Sequence, residues 1–462
     1  MKSLRKTCTG LAPVHVFKWA SGIAAAVAFA ATSVSPAYAA AAPLRAPQAT
    51  PQPAQPAQLG VWDFYRSRAE APLWLAPTSG DAAQSLVALL KSADIDRLNP
   101  DRYGVAALDK ALADAAGRNP KAVQRADIML SQAFVAYVDD LRRDPGVGIT
   151  YVDPQLRPTP PNPMTILTQA AAAPSLADYV RTMGWMHPIY GQLRAALADH
   201  KYADDHERDM LAVNLERARA LPAGDQKYIV VNAAQQRLYM YEDRKPVDSM
   251  VVVVGKAKWP TPMLSAYIRY AALNPYWYVP SDLAWEDVGQ WVKKYGQSYF
   301  DRMGYEQVSD WSDNPQILDA TKIDWDAVRD GTSKIFLRQK PGPDNFMGRM
   351  KFMFPNEFGV YLHDNPRREL FEKQVRYYSG GCVRLEDAAR LGKWLFGHDL
   401  DWKSAGVQQP VMLAKPVPVY ITYLTAMPQD GGTIAYYKDE YGRDTEQLAT
   451  QSSSTGGTAA GH

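Results

Sequence analysis

Cysteine is nearly absent from this chain: 462 residues hold only Cys8 and Cys382. Cys8 precedes an apolar, leader-like run, so a chain cut behind that run keeps a single thiol. One thiol cannot close an intramolecular disulfide, and no Cys-x-x-Cys metal or redox pair exists. Charge of one sign is lacking as well. Fifty-one Lys and Arg against 49 Asp and Glu leave a formal +2, which argues against a nucleic-acid partner or an acidic-surface partner. No run is apolar for the ~20 residues that a bilayer span needs. There is no His-Glu-x-x-His, no Walker-type glycine loop, no dinucleotide fingerprint and no internal repeat, so neither a metal nor an organic cofactor is expected. What remains is an ordinary globular composition, 47% hydrophobic and 22% charged, on a chain long enough for two or three domains.

The N-terminus reads as an export signal. Lys2, Arg5, Lys6 and Lys18 make it basic, Trp19 to Ala31 is apolar and small, and Ala37-Tyr38-Ala39 has the small-x-small form of a cleavage site. A signal peptide over 1–39, removed near Ala39, is expected. An Ala/Pro/Gln-rich linker follows over 40–59, too poor in apolar bulk to fold.

From 60 to 224 the periodicity is helical. Ala82 to Leu90 is a strong helix former with Asp81 placed to cap it, and Ile128, Met129, Ala133, Ala136, Tyr137 and Leu141 recur at helical spacing. At Lys227 the period changes. Tyr228–Val231, Leu238–Tyr241 and Met250–Val254, separated by short polar turns, predict a β-meander. Strand character returns at Lys334–Leu337, Val360–Leu362 and Val417–Tyr423. The expected architecture is therefore a mostly α-helical domain over 60–224 and a mainly β domain over 225–430. Between its strands, 281–333 is polar, aromatic and helical by pattern, without a continuous apolar face of its own, and is expected to form a cap. Residues 431–462 form a C-terminal extension, disordered from about 447 by composition.

The remaining thiol stands in Tyr378-Ser379-Gly380-Gly381-Cys382-Val383-Arg384, and Val360-Tyr361-Leu362-His363-Asp364-Asn365-Pro366 lies upstream. An exported protein has little use for an unpaired cysteine except as a nucleophile. A neighbouring imidazole would activate it, and His363 is the one histidine of the β-rich stretch before Cys382. The same residues also fit a small buried thiol near an ordinary strand-end histidine.

The motif narrows that choice. Tyr361-Leu362-His363-Asp364 followed by Ser379-Gly380-Gly381-Cys382-Val383-Arg384 resembles the catalytic motif of the L,D-transpeptidases (YkuD-like). Pro260-Thr261-Pro262, Leu273 to Pro280, Arg338 to Pro343 and Lys351 to Asn356 resemble the long, YcbB-like branch, so the resemblance covers about 225–425. Phe64-Tyr65, Pro72 to Leu75 and Asn99 to Tyr103 resemble its helical scaffold more loosely. The resemblance implies a YkuD-like β-sandwich and a periplasmic enzyme forming 3-3 cross-links between peptidoglycan stems. Its implied substrates are tetrapeptides of the diaminopimelate type, and carbapenems are its implied inhibitors. Cys382 would be acylated with loss of the terminal D-alanine, and His363 would act as base and acid. The Asp364 backbone carbonyl would orient the ring, and backbone amides at Gly381 would form the oxyanion hole. Arg384, Tyr361, Trp277 and Ser379 are the expected substrate-binding residues. Two departures are visible: Gly380 stands where the family often has His or Ser, and no peptidoglycan-binding module is recognisable between Trp185 and Leu221. A cysteine hydrolase that trims stems or releases wall-linked protein, and a non-catalytic wall-binding scaffold, are the alternatives.

Overall fold

The computed structural model describes residues 60–456, except Asp282 and Asp313, with side chains described to residue 450. The expected signal peptide with Cys8, the 40–59 linker and residues 457–462 lie outside the described residues.

The first half is helical, as its periodicity requires. Helices at Val61–Ser67, Ala82–Lys91, Val105–Ala115, Pro120–Leu141, Pro163–Ala171, Leu176–Arg181, Pro188–Ala198 and Asp205–Ala218 surround one apolar core. The longest helix starts where Asn119 accepts from the Lys121 amide and Pro120 supplies a pre-set φ. Asp81 does sit at the N-cap of Ala82–Lys91, but its side chain makes no cap bond. Its carboxylate instead takes Arg181 at 3.0 Å.

Two fully buried aspartates tie this half together. Asp127 accepts from the amides of Leu73 (2.7 Å), Trp74 (2.8 Å) and Leu75 (2.8 Å) and from the Tyr65 hydroxyl (2.5 Å). Asp96 accepts from the Tyr137 hydroxyl at 2.5 Å, the Tyr190 hydroxyl at 2.6 Å and Arg194 Nε at 2.9 Å. A short strand, β1 (Thr150–Tyr151), leaves the helices to pair with the sheet that follows.

That sheet opens with the expected meander, β2 (Tyr228–Asn232), β3 (Arg237–Glu242) and β4 (Lys245–Gly255), then β5 (Leu264–Leu273). The chain leaves it to build a second sheet from β6 (Trp277–Val279), β7 (Tyr305–Val308), β8 (Ile317–Leu318) and β9 (Phe336–Gln339). It returns as β10 (Met350–Met353), β11 (Leu362–His363), β12 (Tyr377–Ser379), β13 (Val383–Leu385) and β14 (Gln409–Thr422). β14 shifts register between Met412 and Val417, which lets it pair β5 along its length and β2 at its end. The domain is mainly β, and its strands run in one hydrogen-bonded circuit, β5-β10-β11-β13-β4-β3-β2-β14 and back to β5, rather than as two separate sheets. Ile229, Leu238, Val252, Ile268, Phe352, Leu362 and Val383 fill its interior.

The helical and β halves share apolar surface. Tyr228, Val230, Tyr241 and Tyr420 of the sheet pack in the helical core. The C-terminal extension locks the two halves further. Asp444 pairs with buried Arg217, which also donates to the Tyr423 carbonyl at 3.0 Å. The expectation of disorder from about 447 gives way to a helix over Arg443–Gly456, anchored at its first turn by that pair. Among the described residues no helix is long and apolar enough to cross a membrane.

The cap differs from its expectation. The 281–333 stretch is a mixed α/β unit, and it includes the flanking strands: β6 and β7 both pair with β9. It has its own core of Trp277, Val279, Val288, Phe300, Tyr305, Trp325, Leu337 and Phe346. Its apolar residues are spread over strand and helix, so no single helical stripe announces them.

Candidate active site

Strand register brings the chemistry-bearing residues to one face. β11 runs parallel to β13, with Leu362 opposite Val383 and His363 opposite Arg384. β10 runs antiparallel to β11, with Lys351 opposite His363. Side chains alternate along a strand. Phe352, Leu362, Val383 and Leu385 are therefore buried in the circuit, while Lys351, His363 and Arg384 share the opposite face. Tyr361 and Cys382, each two residues earlier, extend that face.

The imidazole of His363 is held by its own neighbour. Nδ1 lies 2.6 Å from the Asp364 carbonyl oxygen, which assigns the proton to Nδ1 and the lone pair to Nε2. Asp364 is itself fixed: its amide donates to the Met350 carbonyl, and its carboxylate accepts from the Arg349 amide and Arg368, each at 2.9 Å. Gly348 makes this seat. Its φ is +63°, and a Cβ there would come within 2.5 Å of the Asp364 Cβ, so a side chain fits neither the backbone nor the space.

The thiol turn is held as tightly. Ser379 Oγ donates to the Cys382 carbonyl at 2.6 Å and accepts from the Gly381 amide at 3.2 Å. Thr261 Oγ1 donates to the Gly381 carbonyl at 2.8 Å. Gly381 has φ +113°, and at Gly380 a Cβ would lie 2.8 Å from Leu283 Cδ1 of the cap. The His or Ser common in the family at that position would require the Leu283 side chain to move. Among the described residues the Cys382 amide has no hydrogen-bond partner, and its thiol meets the Gly359 carbonyl at 3.7 Å and the Tyr361 amide.

Burial disfavours the charged form of both groups. Burial pushes His363 down to about 3, and the charges of Arg384 and Lys351 act the same way. Burial pushes the Cys382 thiol up, against the Tyr361 amide and the same two cations. Arg384 is lowered by burial and partly restored by Asp287 of the cap, and its Nε is buried without a partner.

The structure thus brings together Cys382, His363, Asp364, Tyr361 and Arg384. Three of the expected residues make the following contacts. The Gly381 amide is occupied by Ser379, so the free amide of the turn belongs to Cys382. The Ser379 hydroxyl is spent inside the turn, donating and accepting, and does not face a ligand. Trp277 packs within the cap core, 4.7 Å from the Phe346 ring centroid, and not at the thiol. Sequence reasoning missed Lys351, Thr261, Leu283 and Asp287 as members of this site. Thr261 had a signal in Pro260-Thr261-Pro262, and Lys351 had one in strand alternation. The two cap residues had none. A cavity of about 770 Å³, between Arg142 and Leu156 of the helical half and Lys227 and Tyr420 of the β half, does not include the thiol.

Comparison with known proteins gives the domains around this site. The YkuD L,D-transpeptidase catalytic domain profile matches residues 226–419, and a scaffold domain profile matches 60–197. The chain thus combines an L,D-transpeptidase catalytic domain over 226–419 with a scaffold domain over 60–197. A Haemophilus influenzae protein provisionally named an L,D-transpeptidase is 26% identical over 405 residues, spanning 83% of this chain and 78% of its own length. Among solved structures, an L,D-transpeptidase from Mycobacterium smegmatis matches 43% of this chain and only 59% of its own, at 14% identity and a TM-score of 0.21. The catalytic domain of the E. faecium L,D-transpeptidase matches 43% of this chain and 99% of its own, at 15% identity and a TM-score of 0.19. At such scores these two structures support no argument about this site.

Proposed function

We propose that this protein is a periplasmic L,D-transpeptidase that makes 3-3 cross-links between peptidoglycan stems through an acyl-enzyme on Cys382. The observation that carries the reading is the His363 ring, locked by the Asp364 carbonyl with its lone pair on Nε2, one strand away from a thiol whose own amide is free.

Nε2 takes the thiol proton as Sγ attacks the carbonyl between the third and fourth residues of a tetrapeptide stem. The oxyanion that develops meets the Cys382 amide. The C–N bond breaks, the amine of D-alanine takes the proton from His363, and D-alanine leaves. An amine, the diaminopimelate side chain of a second stem, then attacks the thioester. Its proton passes to His363 and on to the departing thiolate. Because burial disfavours the charged forms of His363 and Cys382, proton transfer belongs to the attack rather than to a standing ion pair. The cap, with Leu283 over Gly380, would shield the thioester from water and favour the amine. A carbapenem would acylate the same thiol. Export by the 1–39 leader would place the enzyme with its substrate.

Mass spectrometry of muropeptides after incubation with diaminopimelate tetrapeptides tests this. Cross-linked dimers are expected; tripeptides alone would make the protein a hydrolase, and unchanged tetrapeptides would make it a non-catalytic scaffold.

A further inference from the structure

Lys351 is a buried cation of this face, held down to about 8 by burial, and the Cys382 thiol is the one group of opposite sign found to act on it. Its side chain is 8% exposed, and among the described residues it has neither a hydrogen-bond nor an ion-pair partner. Aromatic rings take the place of a counter-ion: Nζ lies 5.3 Å from the Tyr361 centroid and 6.0 Å from the Tyr278 centroid. Tyr361 flanks it from β11 and Tyr278 from the cap, so the ammonium stands where cap and β circuit meet. Its register partner is His363. Arg384 differs, because Asp287 of the cap offsets its charge.

A buried ammonium without a full counter-charge is costly, and groups of this kind cluster at sites where a ligand supplies the anion. We infer that Lys351 is a specificity-determining residue that receives a carboxylate of the donor stem between the Tyr278 and Tyr361 rings. This rests on the transpeptidase reading for the identity of the donor. A tetrapeptide offers two carboxylates near the scissile amide, one on the terminal D-alanine and one on the diaminopimelate side chain. Either, seated on Lys351, would also offset a charge that opposes protonation of His363. Binding the correct donor would thereby raise the basicity of the residue that must take the thiol proton.

The test begins with alkylation of Cys382 in the full chain by anionic iodoacetate and by neutral iodoacetamide, which needs no transpeptidase activity. In the wild type the anionic reagent should be favoured, and Lys351→Met should lower the iodoacetate-to-iodoacetamide rate ratio about tenfold. Lys351→Arg should retain most of it, which keeps the test open if Lys351→Met folds poorly. An unchanged ratio, or an equal fall in both rates, overturns the proposal; the latter would mean that Lys351 acts on the thiol alone. With tetrapeptide donors, Lys351→Met should raise KM for acylation and leave kcat within a few-fold. A donor amidated at the terminal D-alanine and one amidated at the diaminopimelate side chain separate the two carboxylates. The one whose amidation abolishes the difference between wild type and Lys351→Met is the one bound, and a difference that survives both amidations overturns the proposal. If the alkylation ratio behaves as expected while no donor is turned over, the carboxylate site stands and the transpeptidase reading fails.

Discussion

In the helical half, Asp96 and Asp127 are fully buried and their oxygens are fully engaged, by three tyrosine hydroxyls, three backbone amides and Arg194. On the catalytic face, Lys351 has no hydrogen-bond or ion-pair partner, Arg384 Nε has none, and the thiol has a long contact to a carbonyl and the Tyr361 amide. Both regions bury charge; the two aspartates are fully satisfied, whereas the catalytic-face groups are not, although Arg142 Nη1 and Glu216 Oε1 of the helical half also lack partners. A buried group with every partner in place holds elements together and is expensive to disturb. A buried group left unsatisfied weakens the fold and is retained for what it does to a ligand. The comparison separates residues whose loss should unfold the protein from residues whose loss should disarm it.

The largest effect is expected at the thiol. Cys382→Ala should abolish acylation and turnover with no change in thermal stability, and Cys382→Ser should be nearly as inactive, since a hydroxyl ionises far less readily. Either variant cross-linking at the wild-type rate would remove Cys382 from the mechanism. His363→Ala should slow acylation roughly 10²–10⁴-fold, read as the rate of carbapenem labelling. An unchanged rate would mean that another base serves.

The opposite pole of the comparison is Asp127→Ala. It strands two buried amides and one half-buried amide, and at roughly 1–3 kcal/mol each the fold should lose about 3 kcal/mol or more in urea unfolding. Activity per folded molecule should be intact. A loss of activity without a loss of stability would erase the distinction between the two regions.

Acid should expose two further groups. His187, which N-caps Pro188–Ala198 in the helical half, and His363 are both held down to about 3 by burial. Unfolded histidine titrates near 6.5, so between those values the unfolded chain binds protons that the fold refuses. Stability from each is full above pH 6.5 and declines as pH falls toward 3. His363→Asn should flatten part of that decline, and a curve identical to the wild type would show that His363 is not buried neutral.

The smallest effect is the one that sharpens the comparison most. Lys351→Met removes an unpaired buried charge, so stability should be unchanged or slightly raised. A clear loss would mean that Lys351 has a structural partner.

Much of this was legible before any coordinates. The meander from Tyr228 and the helical period before it follow from alternation and periodicity, and one motif pointed to the face where Cys382 and His363 lie. What escaped were contacts between segments distant in sequence. Leu283 over Gly380 and Asp287 near Arg384 depend on how the cap folds back, which no local pattern encodes. The cap read as a helical insertion because its core is divided between short helices and strands, none long enough to show a period. Trp277 resembled a site residue because its neighbours did, yet strand alternation turns its ring into the cap core while Tyr278 faces Lys351. The extension after 447 looked disordered by composition, and its helix is held by a pair, Arg217 with Asp444, that spans most of the two domains.

The most direct test is the intact mass of the protein itself after brief exposure to a diaminopimelate tetrapeptide without an acceptor. The account predicts a mass gain equal to the tripeptide acyl group, D-alanine released in equal amount, and the label on the peptide that contains Cys382. A protein that stays unlabelled while D-alanine accumulates, or that carries the acyl group on another residue, would contradict it.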